Sequence, residues 1–123
     1  MSSETLHEDP AKLGPEIIDQ HRAFTSLIEE LEAVDWYNQR AKATSDDDLR
    51  TVLMHNRDEE KEHASMVLEW LRRQDPKLDA NLRKYLFTDE PLAAMIAAEK
   101  AEPPSPVAPD GHLAIGSLRA AKE

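Results

Sequence analysis

The sequence predicts an all-α protein whose body is an antiparallel hairpin of two long helices. Three observations carry this expectation. Glycine occurs only at Gly14, Gly111 and Gly116, so the stretch from Pro15 to Asp110 lacks the usual flexible punctuation. Within it, apolar residues return every three or four positions, the period of an amphipathic helix. A short connection, Lys42-Ala43-Thr44, then folds the second periodic segment back along the first.

The first helix is expected to start at Gly14-Pro15-Glu16. Pro15 suits the first helical position, and Glu16 sits near the positive end of the helix dipole. Ile17, Phe24, Leu27, Ile28, Leu31 and Val34 form its apolar stripe, which reaches to about Ala41. The second is expected to start at Ser45 as N-cap, with Asp46, Asp47 and Asp48 in the first turn and Asp48 at the capping-box position. Its stripe is Leu49, Val52, Leu53, Met66, Val67, Trp70 and Leu71, and Pro76 blocks its continuation. Each arm is then roughly 40 Å long, at about 1.5 Å per residue. A shorter helix is predicted from Lys77 to Leu86, with Leu78, Leu82, Tyr85 and Leu86 on one side, and another from Pro91 to Lys100.

The segments flanking this body read differently. Residues 1–10 are polar and acidic, and residues 1–14 are expected to be a flexible N-terminal segment ahead of the helical domain at 15–100. Residues 101–111 carry Pro103, Pro104, Pro106 and Pro109, too many prolines to pack, and read as an extended linker. Apolar character returns in the tail, residues 112–123, as Leu113-Ala114-Ile115-Gly116-Ser117-Leu118-Arg119. An apolar motif on a tether is a candidate docking peptide.

Composition narrows the function. With 33% charged and only 5% aromatic residues, the core is thin and a lone chain would gain stability by pairing with another copy. A net charge of −10 and a pI near 4.9 argue against nucleic acid and anionic membrane surfaces, and favour cations as partners. The absence of cysteine excludes disulfides, thiolate metal sites and thiol catalysis. Residues 1–10 contain no apolar stretch, and no run approaches the roughly 20 apolar residues of a membrane span. A soluble, cytoplasmic protein is expected.

One constellation carries chemistry. Leu53, Asn56, Glu60, His63, Val67 and Trp70 share a face of the second helix, because their spacings alternate between three and four. Glu60 and His63 therefore lie within an apolar stripe, where a carboxylate needs a partner, and a metal ion suits both carboxylate and neutral imidazole. On the first helix, Ala23, Leu27, Glu30, Val34 and Tyr37 repeat the pattern and set Glu30 between Leu27 and Val34. Di-iron carboxylate bundles use one Glu from each of two helices and a Glu-x-x-His pair from each of the other two. This chain holds one of each, half the inventory, and a two-fold dimer would supply Glu30, Glu60 and His63 twice, in a four-helix arrangement around two metals. Such an oxygen-rich set with one imidazole per metal suits iron or manganese, with iron preferred. Tyr37 is a candidate ligand or redox neighbour. A solvated i, i+3 pair is the competing account of Glu60 and His63. For the acidic set Glu29, Glu32, His55, Glu59 and Glu62, a plain charged surface stands beside a cation entry path.

At these same residues the sequence resembles the encapsulated ferritins. The resemblance is carried by Glu29-Glu30-Leu31-Glu32-Ala33-Val34-Asp35-Trp36-Tyr37, by His55-Asn56-Arg57-Asp58-Glu59-Glu60-Lys61-Glu62-His63, by Leu68-Glu69-Trp70-Leu71-Arg72-Arg73 and by Tyr85-Leu86-Phe87-Thr88. It implies a helical-hairpin subunit that dimerises into a ferritin-like four-helix bundle and assembles into a ring, a decamer. It also implies a ferroxidase that oxidises Fe(II) to Fe(III) with dioxygen as co-substrate. Glu30, Glu60 and His63 would be the iron ligands with Tyr37 beside them. Glu29, Glu32 and Trp36 would be outer metal-entry positions, with His55, Glu59 and Glu62 as further candidates. The tail resembles the cargo peptide that docks inside encapsulin shells. Leu113, Ile115 and Leu118 would fill apolar pockets, with Gly116 and Ser117 between them, and Gly116 would allow close backbone approach. The implied place of work is the encapsulin lumen, where the oxidised iron would be stored.

Overall fold

The computed structural model describes residues 5–101, and every regular element among them is helical: α1 (Pro10–Ala43), α2 (Asp47–Gln74), α3 (Pro76–Tyr85) and α4 (Leu92–Ala101). The chain divides between Gln74 and Asp75 into two compact units, the α1–α2 hairpin and the segment that carries α3 and α4. The expectations for the linker and the tail, Leu113 to Leu118 included, fall outside the described residues.

Helix α1 begins earlier than its periodicity suggests. Asp9 caps it by accepting the Ala11 N–H at 3.0 Å, and Pro10 takes the first helical position, where its missing N–H costs nothing. The turn so formed is interrupted at Gly14, whose φ of 79° and ψ of 162° are not helical. A side chain there would meet no neighbour, yet any L-residue would be strained at that φ. The long arm proper therefore runs from Pro15, as the Gly14-Pro15-Glu16 signal indicates, with one extra turn ahead of it.

At the other end of α1 the chain reverses through Thr44, Ser45 and Asp46. The N-cap of α2 is Asp46 and not Ser45, because Asp46 Oδ1 accepts the Leu49 N–H at 2.9 Å and Asp46 O accepts the Arg50 N–H at 3.0 Å. With the cap shifted by one residue, Asp48 is no longer at the capping-box position, although Asp47 and Asp48 still fill the first turn. Arg50 then fastens the reversal. Its guanidinium donates to Ala41 O at 3.1 Å, to Asp47 Oδ1 at 2.6 Å and to Thr44 O, so it closes the carbonyl end of α1 as well as the start of α2.

Along the hairpin, Ala41 of α1 and Ala64 and Leu71 of α2 are buried, while Leu27, Ile28, Val34, Leu53 and Val67 are half-buried. Much of each apolar stripe stays uncovered. On α2, Val52, Met66 and Trp70 are exposed, and with Asn56, Glu59 and His63 they form one line spaced alternately by four and three residues. On α1, Ile17, Phe24 and Leu31 form a second exposed line, seven residues apart.

In the second unit, Asp75 caps α3 by accepting the N–H groups of Lys77 at 2.9 Å and Leu78 at 3.2 Å, and Pro76 sits at the first helical position. The C-cap is Leu86, one residue before Phe87, which adopts a left-handed φ of 61°. Helices α3 and α4 are clasped by Glu99, which accepts from Lys84 Nζ at 3.1 Å and from the Tyr85 hydroxyl. The clasp pushes the Tyr85 hydroxyl up and holds the Glu99 carboxyl down, each through their shared hydrogen bond first.

Candidate metal centre

Midway along the hairpin, α1 delivers Glu30 and α2 delivers Glu60 and His63 to one point. Side-chain donor atoms of the three lie within 4.8 Å of one another, and among the described residues no other group of three or more His, Cys, Asp or Glu converges in this way. His63 Nδ1 is 3.5 Å from Glu30 Oε2 and 3.7 Å from Glu60 Oε1. The carboxylate side chains are 25% and 23% exposed, enough shielding to make bare negative charge costly and too little to close the site to an entering ion.

The electrostatics are one-sided. Hydrogen bonding to Glu60, then burial and the like charge of Glu60, push the Glu30 carboxyl above its ordinary range, and His63 only partly opposes this. Glu30 Oε2 is buried and accepts no hydrogen bond. Two facing carboxylates with an orphaned oxygen and one imidazole lack a positive charge. The donor set fits a hard or borderline divalent cation such as iron or manganese, and Glu30, Glu60 and His63 could hold one.

The remaining positions singled out in the sequence are found in different states. Tyr37 is half-buried, with the Arg40 guanidinium 5.6 Å from its ring centroid. Trp36 is half exposed and lines an open groove with Gln39 and Arg40. Glu29 and Glu32 are exposed. Glu62 lines a second open groove with Met66, Glu69 and Trp70. His55 Nε2 lies 3.5 Å from Glu59 Oε1, and Glu59 Oε2 lies 4.0 Å from His63 Nε2, so these two join the cluster only through His63.

Two further features of the hairpin were not anticipated from the sequence. Arg57 Nη1 donates across the hairpin to Asn38 Oδ1 at 3.0 Å, which fixes the register of α1 against α2 close to the cluster. No spacing rule links residues 38 and 57. Glu69 is gripped by Arg72 and Arg73, each at 2.7 Å, and their hydrogen bonds hold its carboxyl down to about 2. Here the i, i+3 and i, i+4 spacings were a usable signal.

Comparison with known proteins agrees with this architecture. An encapsulated ferritin-like protein of Rhodospirillum rubrum is 50% identical over 126 aligned positions, covering 96% of this chain and 90% of that protein. An encapsulin nanocompartment cargo protein, EncC, of Myxococcus xanthus is 35% identical over 73% of this chain and 76% of its own length. A crystal structure of a protein from Nitrosomonas europaea superimposes with a TM-score of 0.70 at 57% identity, covering 72% of this chain and 97% of that one. The sequence profile described as EncFtn-like matches residues 5–89, which span both hairpin helices and α3, and the chain belongs to that family.

Proposed function

We propose that this protein is a ferroxidase that takes Fe(II) as substrate, oxidises it to Fe(III) with dioxygen, and does so at a site completed by a second copy of the chain. The observation that carries the reading is the cation-deficient cluster of Glu30, Glu60 and His63, with Glu30 Oε2 buried and without a hydrogen bond. One chain offers two carboxylates, which balance the charge of one Fe(II). Two copies about a two-fold axis offer four carboxylates and two imidazoles, which balance a pair. Two Fe(II) ions side by side can pass two electrons to one dioxygen. Glu30 and Glu60 would ligate or bridge, His63 would add its imidazole, and Tyr37 would stand beside them.

Exposed apolar surface supports the dimer. Met66 is 58% exposed and Val52 55%, on the same line as His63, and covering what remains of each is worth about 1–1.5 kcal/mol. The separate line of Ile17, Phe24 and Leu31 leaves a second surface to cover, as assembly of dimers into a ring would require. Glu29, Glu32, Trp36, His55, Glu59 and Glu62 would draw cations toward the centre.

The names of the Rhodospirillum rubrum and Myxococcus xanthus relatives extend the proposal to an encapsulin shell. The tail, through Leu113, Ile115, Gly116, Ser117 and Leu118, would dock on the shell's inner wall and place the oxidised iron in the lumen for storage, within the cytoplasm. No helix among the described residues is long and apolar enough to cross a membrane.

Stopped-flow absorbance after mixing Fe(II) with the protein, with and without oxygen, tests the reaction. The wild type is expected to show rapid oxygen-dependent oxidation. Glu60→Ala and His63→Ala are expected to lose it by more than about 100-fold, beyond the 10–100-fold typical of outer partners of a metal ligand, while keeping their helicity. Unchanged oxidation in both variants would overturn the proposal. Metal uptake without oxygen-dependent turnover would reduce the protein to a cation-binding module.

A further inference from the structure

His63 shows a different neighbour to each of its nitrogens. Nδ1 looks into the site, toward Glu30 Oε2 and Glu60 Oε1. Nε2 looks along α2 to Glu59 Oε2 at 4.0 Å, and Glu59 is held from its far side by His55 at 3.5 Å. His55, Glu59 and His63 are four residues apart, so they stack as one ladder on the helix surface.

A neutral imidazole carries one proton, and the nitrogen that ligates a metal must be the bare one. The two carboxylates at Nδ1 would by themselves draw the proton to that side, where it blocks ligation. An acceptor at Nε2 is needed to hold the proton on the opposite nitrogen. We propose that Glu59 is a positioning residue which, by a side-chain rotation that closes the 4.0 Å separation to hydrogen-bond length, accepts the Nε2–H of His63 and so keeps Nδ1 bare and aimed between Glu30 and Glu60. His55 steadies Glu59 from outside. The inference rests on the reading of Glu30, Glu60 and His63 as the metal ligands. It assigns Glu59 a task separate from drawing ions toward the site, because a cation collector needs charge, whereas an orienting acceptor needs an oxygen lone pair at Nε2. Carboxylates and carbonyls commonly act in this way behind ligating histidines.

Co(II), which does not turn over with dioxygen as Fe(II) does, separates these roles in the full-length protein. Two readouts are taken: Co(II) affinity, and the Co(II)-shifted, exchangeable Nε2–H proton signal of His63, whose water exchange slows when the proton is held. Glu59→Ala is expected to weaken Co(II) binding about 10–100-fold and to broaden the Nε2–H signal by exchange. Glu59→Gln, which keeps an acceptor oxygen without the charge, is expected to recover most of the affinity and the slow exchange. Unchanged affinity and signal in Glu59→Ala would overturn the inference and leave the ligand assignment standing. Equal losses in Glu59→Gln and Glu59→Ala would also overturn it, because Glu59 would then act through its charge. A wild type that takes up no Co(II) would overturn the ligand assignment, and this inference with it.

Discussion

Among the places where α1 and α2 bring polar groups face to face, the turn and the middle of the hairpin are built on opposite principles. At the turn, Arg50 meets the carbonyls of Ala41 and Thr44 and the carboxylate of Asp47. One cation answers the partial and full negative charges around it, and the cluster is complete. At mid-length, Glu30 faces Glu60 with only His63 beside them, and Glu30 keeps a raised carboxyl and an oxygen without a hydrogen bond. The Arg50 bonds to the two carbonyls are partly buried, as the mid-hairpin carboxylates are, although Asp47 itself is exposed. The turn spends its cation on holding the fold, whereas the middle leaves its positive charge to be supplied from outside. A protein can tolerate such a deficit where an ion repays it, and a deficit of this kind is a sign of binding before any ion is seen.

The contrast can be broken by giving the middle what the turn has. His63→Arg would place a permanent cation between the two carboxylates and remove the imidazole ligand. Oxygen-dependent iron oxidation is expected to fall by more than about 100-fold, beyond the 10–100-fold typical of losing an outer partner of a ligand, while the metal-free protein melts at a higher temperature. The pH response follows from the sign of the Glu30 shift. Because Glu30 is raised in the folded wild type, the native state holds that proton more tightly than the unfolded chain. Metal-free stability therefore falls as pH rises from the ordinary carboxylate range through the higher folded value of Glu30. His63→Arg should flatten that decline. Thermal melts of the metal-free protein across this range check it, and a lower melting temperature in the variant would contradict the reading of the cluster.

The converse change opens the turn. Arg50→Ala removes the donor to Ala41 O, Thr44 O and Asp47 at once, and is expected to cost about 2 kcal/mol, within the range for hydrogen bonds involving a charged group. Oxidation per assembled site should stay within a factor of about two, since the cost is borne by the folding equilibrium and a domain stable by about 5–15 kcal/mol stays folded after losing it. Urea unfolding followed by circular dichroism gives the first quantity, and stopped-flow at saturating protein the second. A large loss of oxidation per site would show that the turn and the centre are coupled.

The sequence carried most of the hairpin and the three central residues because both depend on period. Glu30, Glu60 and His63 were legible as polar intruders in apolar stripes, and the fold brought them together across the seam. Details set by single hydrogen bonds were harder to read. Ser45 and Asp46 are both good caps, and only the actual bond from the Leu49 N–H separates them. The extra turn at residues 10–13 was hidden because Gly14, which ends it, also resembles a helix start. Arg50 reaching Ala41 O and Arg57 reaching Asn38 are long-range choices of flexible side chains, which no local rule selects. The left-handed Phe87 has no glycine or asparagine signature to announce it. Glu59 was legible as one more acidic residue, and its distinct role emerges only from which nitrogen of His63 it faces.

The most direct test of the central claim is a crystal structure of the iron-loaded protein, with the metal located by anomalous scattering at the iron edge. The account predicts two irons between two copies of the chain, each within ligand distance of Glu30, Glu60 and His63 side chains, with both copies contributing. Iron bound by a single chain, or absent from this cluster while occupying the outer acidic residues, would contradict it.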